Sequence, residues 1–154
     1  MNQPRDLSSI DEILDFAIEK EQEAADFYTE WAGRVKETAI GEILAGFSAE
    51  EKKHKAFIQD IKAGKKVSPK PKEVMDLSIS DYLVDVSPTQ DMDYQNALRV
   101  AMQREKAAFR LYTNLAARFD DTGVKDLFHT LAQEEAKHKL RLETIYDDEI
   151  LTEN

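Results

Sequence analysis

The sequence predicts an all-α protein, an antiparallel four-helix bundle built from two repeated helical hairpins with a long crossover between them. Three observations carry that prediction. The 154 residues include only five Gly and four Pro, and long stretches are written in Ala, Glu, Lys, Leu and Gln, a mixture that favours helix and gives a sheet little support. Apolar residues recur at alternating steps of four and three along four separate stretches. Finally, residues 9–63 align without a gap onto residues 93–147, with 15 identities in 55 positions. Leu14/Leu98, Ala17/Ala101, Glu21/Glu105, Ala24/Ala108, Tyr28/Tyr112, Thr38/Thr122, Glu51/Glu135 and His54/His138 are among them. Shared helical composition does not readily place both His and their neighbouring Glu in register; an internal repeat does.

Taken in order, Ser9 followed by Glu12 has capping-box spacing, so helix 1 is expected to start near residue 10 and run to about Lys36. Glu37-Thr38 forms a tight connection, helix 2 follows from about Ala39 to Ala63, and Gly64 supplies a C-terminal stop. In the second copy Asp93 takes the place of Ser9, and Asp120-Asp121-Thr122-Gly123 supplies the turn. Helix 4 is expected to end near Tyr146, before a short acidic tail. Between the copies, residues 64–92 form the crossover: Pro69, Pro71 and Pro88 break helical continuity, and Met75, Leu77, Ile79, Tyr82, Leu83 and Val86 offer apolar contacts. A 25-residue helix is about 38 Å long at ~1.5 Å per residue, and extended chain covers roughly 3.3 Å per residue, so the crossover has length to return along the bundle. Residues 1–154 thus read as one domain, and the same linker has the length to exchange hairpins between two chains.

Composition narrows the function. A formal net charge of −10 argues against non-specific nucleic-acid binding, which needs a basic face. No apolar run approaches the roughly 20 residues that span a bilayer, and Met1-Asn2-Gln3-Pro4-Arg5-Asp6 has no apolar signal-like segment; a cytoplasmic location is the expectation. The sequence has no Cys, which removes disulfides, thiol nucleophiles, Cys-ligated zinc and iron–sulfur clusters within this chain. Any metal must be held by carboxylates and imidazoles.

Charged residues interrupt the seams. Helix 1 reads Leu14, Ile18, Glu21, Ala25, Tyr28, Ala32, Val35, and helix 2 reads Ile40, Leu44, Phe47, Glu51, His54, Ile58, Ile61. Helix 3 reads Leu98, Met102, Glu105, Phe109, Tyr112, Ala116, Phe119, and helix 4 reads Val124, Phe128, Leu131, Glu135, His138, Leu142, Ile145. In an antiparallel hairpin, residues equidistant from the turn share a level. Turns centred near 36–38 and 120–121 therefore put Glu21 beside Glu51 and His54, and Glu105 beside Glu135 and His138. Burying one uncompensated carboxylate costs several kcal/mol, and four together also repel. Two divalent ions balance four carboxylates, and two neutral imidazoles complete the shells; Glu-x-x-His sets both donors on one helical face. Oxygen ligands with one nitrogen per metal suit iron or manganese better than structural zinc. The competing reading is a metal-free network of buried Glu and His, against which stands the absence of Lys or Arg from the seams.

These residues resemble the rubrerythrin branch of the ferritin-like superfamily, through Glu21-x-x-Ala24-x-x-x-Tyr28, Glu51-x-x-His54, Glu105-x-x-Ala108-x-x-x-Tyr112 and Glu135-x-x-His138. The resemblance spans both hairpins. It implies two iron ions, bridged by Glu51 and Glu135, with Glu21 and Glu105 as terminal ligands and one His for each metal, and it implies reduction of hydrogen peroxide. Two departures stand out. Peroxide-reducing relatives add a carboxylate after the helix-3 Glu in a locally widened turn, where this chain has Ala108. They also often carry a Cys-bound iron domain, so electrons here are expected from a separate donor.

The favoured expectation is a diiron oxidoreductase acting on peroxide or O₂, as a homodimer or higher homo-oligomer. The alternatives are a ferroxidase that handles iron for storage or transfer, and a structural or interaction bundle that uses metal for stability. Tyr28 and Tyr112 read either as hydrogen-bonding partners of ligand carboxylates or as core tyrosines. Glu50 and Glu134 read as a solvated face or, alternatively, as part of metal entry, His129 as surface or interface, and Trp31 as packing or interface. Lys62, Lys65, Lys66, Lys70 and Lys72 read as a soluble linker, or as a dock for an acidic electron carrier.

Overall fold

The computed structural model describes residues 6–7, 10–64, 77–78 and 93–148. Four α-helices follow one another: α1 (Ile10–Arg34), α2 (Thr38–Lys62), α3 (Tyr94–Ala116) and α4 (Thr122–Tyr146). A two-residue strand β1 (Asp6–Leu7) pairs with β2 (Leu77–Ser78). Two compact units result, one on α1 and α2, the other on α3 and most of α4. Among the described residues no helix is long and apolar enough to cross a membrane. Ser9 and most of the crossover, with Lys65, Lys66, Lys70 and Lys72, lie outside the described residues.

The first unit is an antiparallel hairpin. From one end to the other, Lys62 pairs with Asp15 at 2.6 Å, Lys55 Nζ donates to Gln22 Oε1 at 2.6 Å, and Tyr28 meets Phe47 edge-on with centroids 5.4 Å apart. α1 stops at Arg34, two residues before the expected end, and 35–37 join it to α2. Close by, a Cβ on Gly41 would stand 3.1 Å from the Ala32 carbonyl oxygen, so the helices approach there within a distance that favours glycine. At the other end Gly64, with φ 71°, takes the left-handed conformation that ends many helices. Its N–H donates to the Ile61 carbonyl while that of Ala63 donates to Gln59.

The second hairpin is antiparallel too: Gln95 Nε2 donates to the Tyr146 hydroxyl at 3.0 Å, and Tyr112 stacks on Phe128 with centroids 6.0 Å apart. Asp93 caps α3, its carboxylate accepting from the Asn96 N–H at 2.8 Å. The expected turn at 120–123 is corrected. α3 ends at Ala116, and Asp121 accepts from the Val124 N–H at 3.0 Å. A side-chain cap at Asp121 starts α4 before Gly123, which the helix absorbs.

Burial follows the seams and widens them. Phe16, Ala17, Phe27 and Trp31 are buried beside Leu14, Ala25 and Tyr28 on α1, because a helix in a globular core covers a broader stripe than the narrow four-three seam. Each fully buried Leu, Ile or Phe contributes about 1.5–3 kcal/mol. Trp31 is part of that packing, with the Arg34 guanidinium 4.1 Å from its ring centroid.

Candidate metal centre

Six ionisable side chains enter this apolar interior. Glu21, Glu51, Glu105 and Glu135 are each at most 2% exposed, and His54 and His138 at most 3%. In the first hairpin Glu21 on α1 faces Glu51 and His54, one turn apart on α2. His54 Nδ1 lies 3.4 Å from Glu21 Oε2 and 3.5 Å from Glu51 Oε1. The second hairpin repeats the arrangement: His138 Nδ1 lies 2.8 Å from Glu105 Oε2 and 3.7 Å from Glu135 Oε1. Within each triad, one atom per residue lies within 4.8 Å of the others, a spacing able to hold a metal ion.

Local sequence explains the placement. Glu-x-x-His sets carboxylate and imidazole on one face of α2 and of α4, and the antiparallel turn brings the α1 or α3 Glu to their level. The first triad is braced from both sides. Lys55 to Gln22 ties the helices beside His54 and Glu21. One turn before Glu51, the buried Ser48 hydroxyl donates to the Ala25 carbonyl at 2.9 Å and sits 2.7 Å from Thr29 Oγ1. Ser48 was absent from the sequence expectations. Its signal was a hydroxyl flanking the α2 seam where the second copy has Ala132.

The donor chemistry fits a divalent metal. The buried charged side chains among the described residues are these Glu and His; none is Lys or Arg. Each hairpin therefore sequesters two carboxylates with one imidazole, and a divalent cation compensates the charge that burial makes costly.

The other expected residues fall as follows. Tyr28 and Tyr112 are core rings, each 1% exposed, Tyr28 also contacting Phe27 at 5.7 Å. Glu50 and His129 are exposed and Glu134 is half-buried. Ala108 lies within an unbroken α3, with no widened turn and no carboxylate. Lys62 is raised above its ordinary value, chiefly by its hydrogen bond to Asp15.

Comparison with known proteins agrees with the geometry. The rubrerythrin family model matches residues 12–146. A hypothetical protein from Pyrococcus furiosus is 28% identical, with a TM-score of 0.72 over 90% of this chain and 89% of its own. The crystal structure of a candidate ferritin-like diiron-carboxylate protein from Thermotoga maritima is 17% identical, with a TM-score of 0.74 over 92% of this chain and 96% of its own. No curated protein matches the chain. The fold is the ferritin-like four-helix bundle.

Proposed function

Because the chain belongs to the rubrerythrin family, we propose that it is a non-haem diiron oxidoreductase of the cytoplasm. In this reading it reduces hydrogen peroxide or O₂ with electrons from a separate donor. The observation that carries the proposal is the buried Glu, Glu, His triad, present once in each hairpin. In this reading Glu21, Glu51 and His54 of the first hairpin and Glu105, Glu135 and His138 of the second would hold the metal ions. Iron is the favoured metal, with manganese as the second choice for the same donor set. Ferrous iron held there would supply the electrons that reduce an O–O bond.

The protein's own part is to bind, balance charge and exclude water. Four carboxylates match the charge of two divalent ions, and Phe47, Ile58, Leu131 and Leu142 are buried neighbours along the ligand-bearing helices that keep bulk solvent out.

Ala108 favours a second reading. The carboxylate that peroxide-reducing relatives add on helix 3 is missing, and such a six-ligand centre also suits oxidation of Fe²⁺ for storage or transfer. Anaerobic Fe²⁺ titration should saturate near two ions per chain. Stopped-flow oxidation of the diferrous protein by peroxide and by O₂ then separates the readings. Faster oxidation by peroxide, with multiple turnovers on an added donor, supports the oxidoreductase; faster oxidation by O₂ with mineral iron accumulating supports the ferroxidase. Saturation far below two ions sinks both.

A further inference from the structure

α1 and α3 hold equivalent places in the two copies, yet their solvent faces carry opposite charge. Asp11, Asp15, Glu19, Asp26 and Glu30 are all exposed, and at ~100° per residue they fall on one side of α1. At the aligned positions on α3 the acids are gone. Arg99 stands for Asp15, Arg110 for Asp26 and Lys106 for Gln22, all exposed, while Gln103 and Asn114 replace Glu19 and Glu30. The single acid within α3 is the buried Glu105.

We propose that these faces form a docking surface between two copies of this chain, the acidic face of α1 in one copy meeting the basic face of α3 in the other. Charge complementarity selects the occupant. A foreign acidic protein accounts for the α3 face and leaves the α1 face unexplained, whereas a second copy accounts for both. The acidic face runs from Asp11 to Glu30, about 28 Å at ~1.5 Å per residue, and the basic face from Arg99 to Arg110, about 17 Å. Opposed stripes of this kind set register and partner choice, and juxtaposed like charges disfavour the wrong pairing.

Charge reversal tests the surface without touching the Glu and His triads. Glu19→Lys/Asp26→Lys reverses the α1 face and Lys106→Glu/Arg110→Glu the α3 face; all four residues are exposed. Sedimentation velocity of the full chain at fixed ionic strength should show self-association of the wild type, weakened about tenfold or more in each variant alone. An equimolar mixture of the two variants should associate again, since each then supplies the charge that the other needs. Glu19→Lys/Asp26→Lys changes each site by two charges and so moves the net charge from −10 to −6. Self-repulsion alone therefore predicts tighter association for this variant, the opposite result. Circular dichroism and metal stoichiometry confirm that each variant is folded. A monomeric wild type, unchanged association in either variant, or failure of the mixture to associate would each overturn the proposal. Loss of association in the α3 variant without rescue by mixing would show that the α3 face meets a surface other than the α1 face.

Discussion

Glu51→Gln is expected to change stability with opposite sign in the presence and absence of metal. Glu51 is 1% exposed, with one carboxylate oxygen 3.5 Å from His54 Nδ1. Keeping a carboxylate from water costs several kcal/mol even after the surroundings relax, whereas an incompletely bonded buried amide costs roughly 1–3 kcal/mol. Glutamine has nearly the same shape, and Glu21 still faces the His54 nitrogen at 3.4 Å, so the substitution opens no cavity and leaves the imidazole its second carboxylate. In chelator the variant should gain about 1–3 kcal/mol. At ~2–4 °C per kcal/mol for a chain of this size, its melting temperature should rise by about 3–10 °C. Metal reverses the order. At a free concentration of 100 Kd one site adds about 2.7 kcal/mol, and a variant that lacks the Glu51 carboxylate should forfeit most of that gain. Calorimetry in chelator and in excess Mn²⁺ or anaerobic Fe²⁺ measures both arms. The reasoning fails if Glu51→Gln melts lower than wild type in chelator, or if metal raises its melting temperature as much as that of the wild type.

Other expectations rest on features outside the ligand layer. Ser48→Ala removes the hydroxyl that joins α1 to α2 and should cost about 1–3 kcal/mol by chemical denaturation, because the Ala25 carbonyl loses a buried donor. Gly41→Ala places a methyl 3.1 Å from the Ala32 carbonyl oxygen and should cost about 1–3 kcal/mol; wild-type stability would show that the turn relaxes freely. For Lys62, raised above 10.5 chiefly by Asp15, the stabilisation is complete below the ordinary lysine value and is lost as pH rises through the folded-state value. Asp15→Asn should flatten that alkaline decline in melting temperature, and an unchanged slope would assign it to other groups.

The burial of the Glu and His residues was legible because they contradict their surroundings. Glu21 or His138 on an otherwise apolar seam is an expensive placement, and the repeat shows the same placement twice. Asp93 and Gly64 were legible for a local reason, since a cap or a left-handed stop depends on a few neighbouring residues. Legibility ended where the answer depended on another helix. Ser48 reads as an ordinary polar residue until the Ala25 carbonyl and Thr29 are seen opposite it. Gly123 looked like a turn residue because the competing cap at Asp121 becomes decisive only once α4 has formed. The breadth of the core around Phe16 and Trp31 depends on how closely the helices approach, which seam spacing alone does not set.

The unequal turns make the two hairpins unequal as engineering material. Residues 35–37 close the first turn beside the near-contact at Gly41, whereas 117–121 close the second, where Lys125 stands in the aligned position. Phe119 is fully buried but Asp120 is exposed, so a graft placed after Asp120 enters between an anchored ring and the capping Asp121 without displacing either. Loop closure grows costlier by only about 0.6 kcal/mol for each doubling in length. A fluorophore-binding tag or a flexible tether to an electron-supplying protein therefore belongs at Asp120, while the same insertion at Lys36 would disturb the close approach of Gly41 to the Ala32 carbonyl.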